Sequence, residues 1–567
     1  MCGIFGGIGI SKTQAENCLG KILRGNDGIT VTEYGPIVMG SRRHLVKESN
    51  KITAKEGASD QPYETDQKTI AVVVNGELYN FHDIREELEL LGHNFQTIGD
   101  TEVFLRLYEE FGQQFVTKAK IDALFAIAIY DSTKNEIAIT RDWPGRVPLF
   151  YYHDPDKNTF LYSSELKGFR ALEWIDLKRP IELKPGTWLT LNLDTFEISL
   201  EDWFKPQPLK TKSALDKVGG ELHRLLVNSG KNRTMGDVPI STMLSGGIDS
   251  VLSSFYVFSN IDFNKVDFRP VSYVFKVTDY ESEDVKRATI AAKSFAEIGL
   301  DLRVIETPAE QLIDDIPEII ELFETRNIRA LSVYPLPIYY YLAPKIYADG
   351  FKVTIGGHGV DELLGAYDSW KELNKPHNIQ IDVRSRLAFI NAIYENMLRR
   401  ASIIFMNRGP VEARFPFLRP EICEYMLGID PKWLSLNQKT AEQLLISMTD
   451  KAGNKKNWSQ QMRDIYDQTE IYLNDGRHGS QYSEHENREL EKLFWKVPLI
   501  LAGLYACDES WLKPEALFNA KLRGQHGSGI TSLEKEITKK YNFLGDTDTQ
   551  IFQAIVNEKY FSPAITQ

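Results

Sequence analysis

The sequence lacks the features that mark secreted, membrane-spanning or nucleic-acid-binding proteins. Its 567 residues contain four cysteines and no CxxC pair, which is too sparse for a disulfide scaffold and predicts a reducing, cytoplasmic setting. No apolar run reaches the roughly 18 to 20 residues of a membrane span, so we expect no membrane partner. The net charge of −13 argues against the basic surface that grips phosphates, so we expect no nucleic-acid partner either.

What the sequence does contain is typical of a multidomain globular protein. Hydrophobic residues make up 42% and charged residues 26% of a chain too long for one core. Residues 1–205 alternate short apolar runs with two helices, which predicts a strand-rich α+β domain. Residues 206–220, with Pro206 and Pro208, are predicted to form a linker. Strands and helices alternate in 221–567, which predicts a doubly wound parallel sheet, and the polar stretch 451–487 is predicted to be a surface insertion.

Cys2 is the first candidate for chemistry. Once the initiator methionine is removed, one residue carries both a thiol and a free α-amine. The α-amine has an ordinary pKa of about 7.7 to 8.0 and can take the thiol proton directly or through a water. Taken alone, a cysteine at position 2 is more often an ordinary small apolar residue, and its neighbours decide between the two hypotheses.

Five segments around Cys2 resemble the class II, N-terminal nucleophile, glutaminase domain in order and spacing. They are Met1–Gly6, Arg24–Gly28, Val74–Asn80, Gly99–Glu102 and Arg141–Asp142. The resemblance implies an αββα sandwich in which Cys2 attacks the glutamine amide and Asn75 and Gly76 form the oxyanion hole. It also implies that Arg43 binds the α-carboxylate of glutamine and that Glu77 and Asp100 bind its α-amine. Each role fits the chemistry of the group named.

Three points in this region stay open, and one residue departs from the family pattern. Asn75-Gly76 could be a hairpin turn, and Asp100 could be a helix cap. The doubled Arg42-Arg43 leaves the choice of arginine undecided, and Asn26 stands where the family has proline.

A second motif follows the predicted strand Val238–Leu244. The Ser-Gly-Gly-Ile-Asp-Ser segment at 245–250 leads into a helix and lacks the lysine of a Walker A loop. It matches the pyrophosphate loop of ATP pyrophosphatases: Ser245 and Ser250 offer hydroxyls, Gly246 and Gly247 allow close backbone approach, and Asp249 is a candidate Mg²⁺ ligand. A plain Gly-rich strand-to-helix turn is the alternative.

A third motif extends the resemblance over nearly the whole chain. Gly356–Glu362 and Gly409–Leu418 resemble the synthetase domain of glutamine-hydrolysing asparagine synthetase. That family adenylates the β-carboxylate of aspartate with ATP, receives ammonia through an internal tunnel, and releases asparagine, AMP and pyrophosphate. The resemblance implies ATP contacts from Met243, Phe275, Gly357 and Asp361, and a Mg²⁺ site at Asp249 and Asp361.

One departure bears on the acceptor. His358 stands where the family has its catalytic glutamate, and an imidazole with an ordinary pKa of about 6.5 can also act as a base toward ammonia. The acceptor is therefore aspartate or, as the alternative, another carboxylate. For the family's catalytic lysine the sequence context favours Lys521. The expected partners are glutamine, ATP and that carboxylate, and a homodimer remains an option.

Overall fold

A computed structural model gives the fold. It describes residues 1–46, 60–204, 215–326, 328, 330–364, 399–430, 433–434, 496–513, 516–517 and 527–561. Lys521 and the predicted insertion 451–487 lie outside these residues, as do residues 206–214 of the predicted linker.

The first 204 residues build two six-stranded antiparallel sheets. The strands are β1 (Gly3–Ile8), β2 (Ile29–Tyr34), β3 (Ile37–Arg42), β4 (Tyr63–Glu64), β5 (Ile70–Leu78), β6 (Ala123–Asp131), β7 (Glu136–Arg141), β8 (Phe150–Asp154), β9 (Thr159–Ser163), β10 (Ile181–Glu182), β11 (Thr187–Asn192) and β12 (Ile198–Asp202). Their orders are β10-β8-β9-β1-β3-β2 and β12-β11-β7-β6-β5-β4.

The two sheets pack face to face with helices outside. Ile4 and Met39 of the first sheet share one core with Val73 and Leu124 of the second. The helices are α1 (Lys12–Lys21), α2 (Phe81–Leu90), α3 (Thr101–Phe111) and α4 (Phe115–Lys118). Helix α1 lies against β1, β2 and β3, while α3 lies against β5, because alternate residues of each strand face opposite sides. This arrangement is the predicted αββα sandwich.

The rest of the chain is organised around a five-stranded parallel sheet of order β15-β14-β13-β16-β17. Its strands are β13 (Ile240–Met243), β14 (Val271–Val277), β15 (Asp301–Thr307), β16 (Val353–Ile355) and β17 (Glu412–Arg414). Numbered along the described chain, its helices are α5 (Leu215–Arg233), α6 (Ile248–Phe258), α7 (Glu283–Ser294), α8 (Ala309–Phe323), α9 (Ala330–Val333), α10 (Leu336–Ala348), α11 (Val360–Leu364), α12 (Arg399–Arg408), α13 (Pro420–Gly428), α14 (Val497–Glu509), α15 (Glu534–Lys540) and α16 (Asp548–Val556). Helices α7 and α10 both pack against β14, as a doubly wound sheet requires.

Two boundaries differ from the sequence prediction. Helix α5 begins at Leu215, inside the span predicted to be linker, because Val218, Leu222 and Leu226 recur at helical spacing and are all buried. The apolar run Ile70 to Val74 predicts a strand that ends at Val74. Strand β5 runs four residues further, to Leu78, since Asn75 to Leu78 continue the pairing with β6. Asn75-Gly76 therefore lies within a strand and is not a hairpin turn. Within the described chain, no helix is both long and apolar enough to cross a membrane.

Candidate active site

The thiol of Cys2 lies between the start of β1 and the end of β3. The backbone N–H of His44 donates to its Sγ at 3.4 Å, and the amide of Gln61 approaches Sγ at 4.0 Å. Burial raises the pKa of the Cys2 thiol; the terminal ammonium and the His44 hydrogen bond oppose this effect, while Glu77 and Asp100 add to it. The thiol is therefore a weak nucleophile until a base removes its proton.

The predicted oxyanion hole lies on β5 beside this thiol. Asn75 is fully buried, and its Nδ2 lies 3.2 Å from Oγ of Ser164, which in turn accepts the N–H of Ile4 at 2.9 Å. A Cβ at Gly76 would lie 2.3 Å from the carbonyl oxygen of Leu124, so this position in the sheet requires glycine. The Asn75 amide is thus bonded to a hydroxyl that also accepts the N–H of Ile4, two residues along the chain from Cys2, and this fixed position suits a preorganised donor.

Two carboxylates lie close to the thiol. Asp100 precedes α3, but its side chain makes no cap hydrogen bond; Oδ2 instead accepts the N–H of Leu78 at 2.8 Å. Burial raises the pKa of Glu77 well above its usual range, and the charges of Glu412 and Asp100 raise it further. Two buried carboxylates of this kind favour a cationic ligand, because an ammonium would relieve their mutual repulsion.

The structure separates the roles of the two adjacent arginines. Arg42 donates to the carbonyl of Ile22 and, at 3.4 Å, to that of Gly20, both at the end of α1. Arg43 instead pairs with Asp60 at 2.5 Å and is directly followed by His44, whose N–H contacts the thiol. Arg42 therefore contacts the end of α1, whereas Arg43 lies next to the residue whose N–H contacts the thiol.

The predicted pyrophosphate loop connects β13 to α6. Ser250 Oγ accepts the N–H of Ser245 at 3.2 Å and donates to the carbonyl of Gly247 at 2.9 Å. Gly246 has φ +76°, and a Cβ there would lie 2.3 Å from the backbone of Arg287, so only glycine fits. A Cβ at Gly247 would meet nothing closer than 3.7 Å, which leaves that backbone open to a ligand at the start of α6.

The second glycine-rich loop lies against the first. A Cβ at Gly357 would lie 2.6 Å from the backbone of Asp249, so the two loops are in contact at the carboxyl ends of β13 and β16. Lys496 joins them: its buried Nζ is paired with Asp249 and, at 2.7 Å, with Oδ1 of Asp361. Burial lowers the pKa of Lys496, but the two carboxylates outweigh burial and hold that pKa above its usual value.

His358 extends from the same loop. Its Nε2 lies 2.6 Å from the hydroxyl of Tyr339 on α10, and its ring meets that of Phe415 at 4.8 Å. Met243 also lies here, since its Cε would be 2.7 Å from a Cβ at Gly356. Phe275 differs: its side chain is buried and stacked on Tyr341, so any contact from it to a nucleotide would come from the backbone.

Comparisons with known proteins agree with this two-site arrangement. Residues 1–183 match the glutamine amidotransferase domain family and residues 221–388 the asparagine synthase family, together more than half of the chain. The chain therefore carries a glutamine amidotransferase domain followed by an asparagine synthase domain. It is 28% identical to the asparagine synthetase [glutamine-hydrolyzing] of Sandersonia aurantiaca over 76% of this chain and 79% of the relative. It is 29% identical to asparagine synthetase B of Escherichia coli over 76% of both chains, and 28% identical to asparagine synthetase 1 of Arabidopsis thaliana over 76% of this chain and 71% of the relative.

The two sites of the chain are joined by β17. The ammonium of Met1, adjacent to Cys2, donates to Oε2 of Glu412 at 3.1 Å. Two residues further on, the carbonyl of Arg414 accepts the N–H of Gly356 at 2.9 Å, at the base of the His358 loop. A three-residue strand therefore contacts the residue before Cys2 in one domain and the base of the His358 loop in the other.

Further contacts fix the two domains against each other. Asp122 forms a bidentate, fully buried pair with Arg233 at 2.5 and 2.9 Å. The ring of Tyr79 lies beneath two guanidinium groups, 4.4 Å from that of Arg233 and 5.4 Å from that of Arg414. Asn26, the departure from the family's proline, donates to the hydroxyl of Tyr347 on α10 at 3.2 Å.

Sequence reasoning missed three residues that support these sites. Gln61 and Ser164 act through single polar atoms and belong to no recognised motif. Lys496 did carry a signal: it is a lone lysine in the apolar run from Leu493 to Leu501, and a charged residue in such a run needs a partner. Lys521, the lysine chosen from sequence, lies outside the residues that the structure describes.

Proposed function

We propose that this chain is a glutamine-dependent ligase that transfers ammonia from glutamine to a carboxylate activated by ATP, with the β-carboxylate of aspartate as the first candidate acceptor. The observation that carries the proposal is the junction of the two glycine-rich loops by Lys496. An ammonium held against the pyrophosphate loop can stabilise the charge that develops on the α-phosphate as an acyl-adenylate forms and collapses.

The glutaminase half-reaction is assigned to Cys2. After removal of Met1, the α-amine of Cys2 takes the thiol proton, Sγ attacks the amide carbon of glutamine, and ammonia leaves as a thioester forms. Water then hydrolyses the thioester to glutamate. The raised pKa of the buried thiol explains why such a base is needed. Asn75 and Gly76 stabilise the oxyanion, Arg43 holds the substrate carboxylate, and Glu77 and Asp100 hold its ammonium.

ATP with Mg²⁺ is assigned to the synthetase site. Asp249 and Asp361 fit this role because their carboxylates converge on one point and offer the hard oxygen atoms that Mg²⁺ prefers. Within the described ranges no group of three or more potential ligands exists, which suits a metal held jointly by one or two carboxylates and the nucleotide's phosphates. When bound, Mg²⁺ would neutralise charge on the departing pyrophosphate. Ser245, Gly246, Gly247 and Ser250 would hold its oxygens.

His358 is assigned as the base toward ammonia. Its half-buried ring lies on the loop that contacts Asp249, so it borders the same site. A neutral ring nitrogen would take a proton from the attacking ammonia as the C–N bond forms and AMP leaves. The same residue favours the alternative acceptor, because an imidazole in place of the family's glutamate changes the charge next to the acceptor. A carboxylate other than aspartate is therefore the second candidate.

One experiment tests the activity and the acceptor together. The protein is incubated with ATP, Mg²⁺, glutamine and single members of a carboxylate panel that includes aspartate, and AMP, pyrophosphate and glutamate are measured. We expect pyrophosphate release to depend on one acceptor and its amide to accumulate in equal amount. Pyrophosphate release with another acceptor and none with aspartate would select the alternative. Glutamate release without AMP for every carboxylate would contradict the ligase assignment.

We also propose a cytoplasmic setting, which the four free thiols support. The homodimer remains a hypothesis, and light scattering of the purified protein across concentrations measures it directly.

A further inference from the structure

The hydroxyl of Tyr339 has a place in the synthetase site that no sequence motif indicates. It lies 2.6 Å from Nε2 of His358, a short distance for a hydrogen bond between a hydroxyl and a ring nitrogen. Tyr339 is 7% exposed, whereas His358 is only half-buried. Of the two partners, His358 is thus the one that a ligand can reach, and Tyr339 lies behind it.

Both rings are held by other aromatic side chains. The Tyr339 ring packs on Phe405 of α12 at 5.5 Å, and the His358 ring packs edge-on against Phe415 at 4.8 Å. Phe415 follows β17 directly, so the surrounding rings belong to elements of the rigid sheet and its helices. A hydroxyl on a buried, packed ring has little freedom, and its bond to Nε2 fixes how the imidazole is turned.

We propose that Tyr339 is a positioning residue for His358 in the ammonia-transfer step. This inference rests on the proposed function, in which His358 is the base. In the neutral ring Nε2–H donates to the hydroxyl oxygen, which leaves the lone pair on Nδ1 to take a proton from ammonia. Once Nδ1 is protonated, Nε2–H keeps the same bond to the hydroxyl.

The choice of a hydroxyl has a physical reason. The hydroxyl oxygen accepts the Nε2 hydrogen both before and after Nδ1 gains a proton, whereas an ammonium in this place could only donate and would not bond to Nε2–H. The ring therefore keeps one orientation while it gains and loses a proton. Such constancy keeps the ring aimed at the incoming ammonia in every turnover.

The test is Tyr339→Phe, which removes one oxygen and keeps the packed ring. With ammonia and the best acceptor, we expect kcat for pyrophosphate release to fall about 10-fold, less than the 10²- to 10⁴-fold that a general base contributes. The KM values for ATP and acceptor and the rate of glutamine hydrolysis should stay unchanged. Tyr340→Phe is the matched control: it removes a hydroxyl from the next residue of α10, whose ring lies under the guanidinium of Arg408.

A second background shows whether Tyr339 acts through His358. In a His358→Gln protein, the further change Tyr339→Phe should lower kcat by less than twofold, because the ring that it positions is gone. An equal loss in both backgrounds, or a Tyr339→Phe enzyme as fast as Tyr340→Phe, would overturn the proposal.

A direct observation on the wild-type protein is independent of activity. Nitrogen NMR of the histidine rings, with His358 assigned from the His358→Gln spectrum, should show the neutral ring protonated at Nε2 and an Nε2 signal that shifts in Tyr339→Phe. An unshifted signal would contradict the positioning role even in an active enzyme. A wild-type protein that releases no pyrophosphate with any acceptor, yet shows the predicted ring signals, would instead count against the proposed function alone.

Discussion

The two sites of this chain handle buried charge in opposite ways. At the glutaminase end, Glu77 and Asp100 lie close to the thiol, and the charges of Glu412 and Asp100 help to raise the pKa of Glu77. At the synthetase end, Asp249 and Asp361 are held by the ammonium of Lys496. The first arrangement favours a substrate that brings its own positive charge. The second carries an internal cation, which must share its carboxylates with any metal that arrives with the nucleotide.

This difference explains why each half needs a different kind of residue. Glutamine is a zwitterion, so a site that binds it can use acids for its ammonium and an arginine for its carboxylate. ATP is strongly anionic, and a site that splits it needs positive charge before, during and after the reaction. Each of the first three substitutions below affects one of the two sites, and the fourth affects the contact between the two domains.

The largest effect is expected for Cys2→Ala. Glutamate release should fall on the order of 10³-fold or more, because the proposed nucleophile of that half-reaction is removed. Pyrophosphate release with added ammonium salts should remain within about twofold of wild type. Cys507→Ala, a half-buried thiol far along the chain on α14, is the control and should alter neither rate. Loss of both reactions in a folded Cys2→Ala protein would mean that the two sites are not separable.

Lys496→Met should give the next largest effect and the opposite pattern. We expect AMP and pyrophosphate formation to fall about 10²- to 10³-fold, since a charge aimed at the phosphates is lost while the side chain keeps its length. Glutamine hydrolysis should persist. Lys345→Met removes a half-exposed lysine that pairs with Asp349 at 2.9 Å and should leave both reactions unchanged. If Lys496→Met forms pyrophosphate at the wild-type rate, another lysine must stabilise the charge on the phosphates, and Lys521 would be the first to test.

His358 should determine how the rate of ammonia-dependent synthesis varies with pH and should not affect glutamine hydrolysis. The neutral ring is the working form, so ammonia-dependent synthesis should rise with pH through the titration of this ring, and His358→Ala should lower the plateau about 100-fold. In His358→Glu the rise should move to lower pH, because a carboxyl titrates near 4.3. Free ammonia must be kept constant across the series. An unchanged profile in His358→Ala would exclude the ring as the base.

The smallest effect on rate is expected at the domain contact. Asp122→Asn weakens the buried pair with Arg233, so glutamate release per pyrophosphate should rise two- to fivefold as ammonia escapes, and stability should fall by about 3 to 5 kcal/mol. The exposed Asp156→Asn is the control. A ratio that stays at the wild-type value would mean that this pair does not help to confine ammonia.

The buried pair of Asp122 and Arg233 also predicts that the protein loses stability at acid pH. Burial raises the pKa of Asp122, but Arg233 outweighs burial and holds that pKa below its usual value. A depressed carboxyl pKa contributes stability above its unfolded value of about 3.9, and this stability is lost as the pH falls from there toward the folded value. Thermal unfolding of wild type should therefore become steeply pH-dependent below about pH 4, and Asp122→Asn should show less of this dependence.

Much of the fold could be predicted from sequence because local patterns carry it. The apolar run before Ser245 and the glycines after it specify strand, loop and helix within about 20 residues. Asp100 shows a limit of local reasoning. Asp100 precedes α3, where a helix cap is expected, yet its carboxylate accepts the backbone N–H of Leu78 at the end of β5.

The synthetase lysine could not be placed because its partners are distant in sequence. Lys496 meets Asp249 and Asp361 across 247 and 135 residues, and only the packed sheet brings the three together. The pairing of Tyr339 with His358 likewise depends on how α10 lies beside the loop after β16. Motif reasoning finds residues on one loop, while contacts between separate elements depend on tertiary packing.

The stacking of Tyr79 under Arg233 and Arg414 has a consequence for how the chain behaves when cut. Two guanidinium groups from the second half lie over one ring of the first, and the three side chains are almost fully buried. Separating the halves would place two arginines and an apolar ring in water at once. A fragment that ends near residue 204 would therefore expose this surface and tend to aggregate. Thermal unfolding of the whole protein should be a single transition in which both halves unfold together.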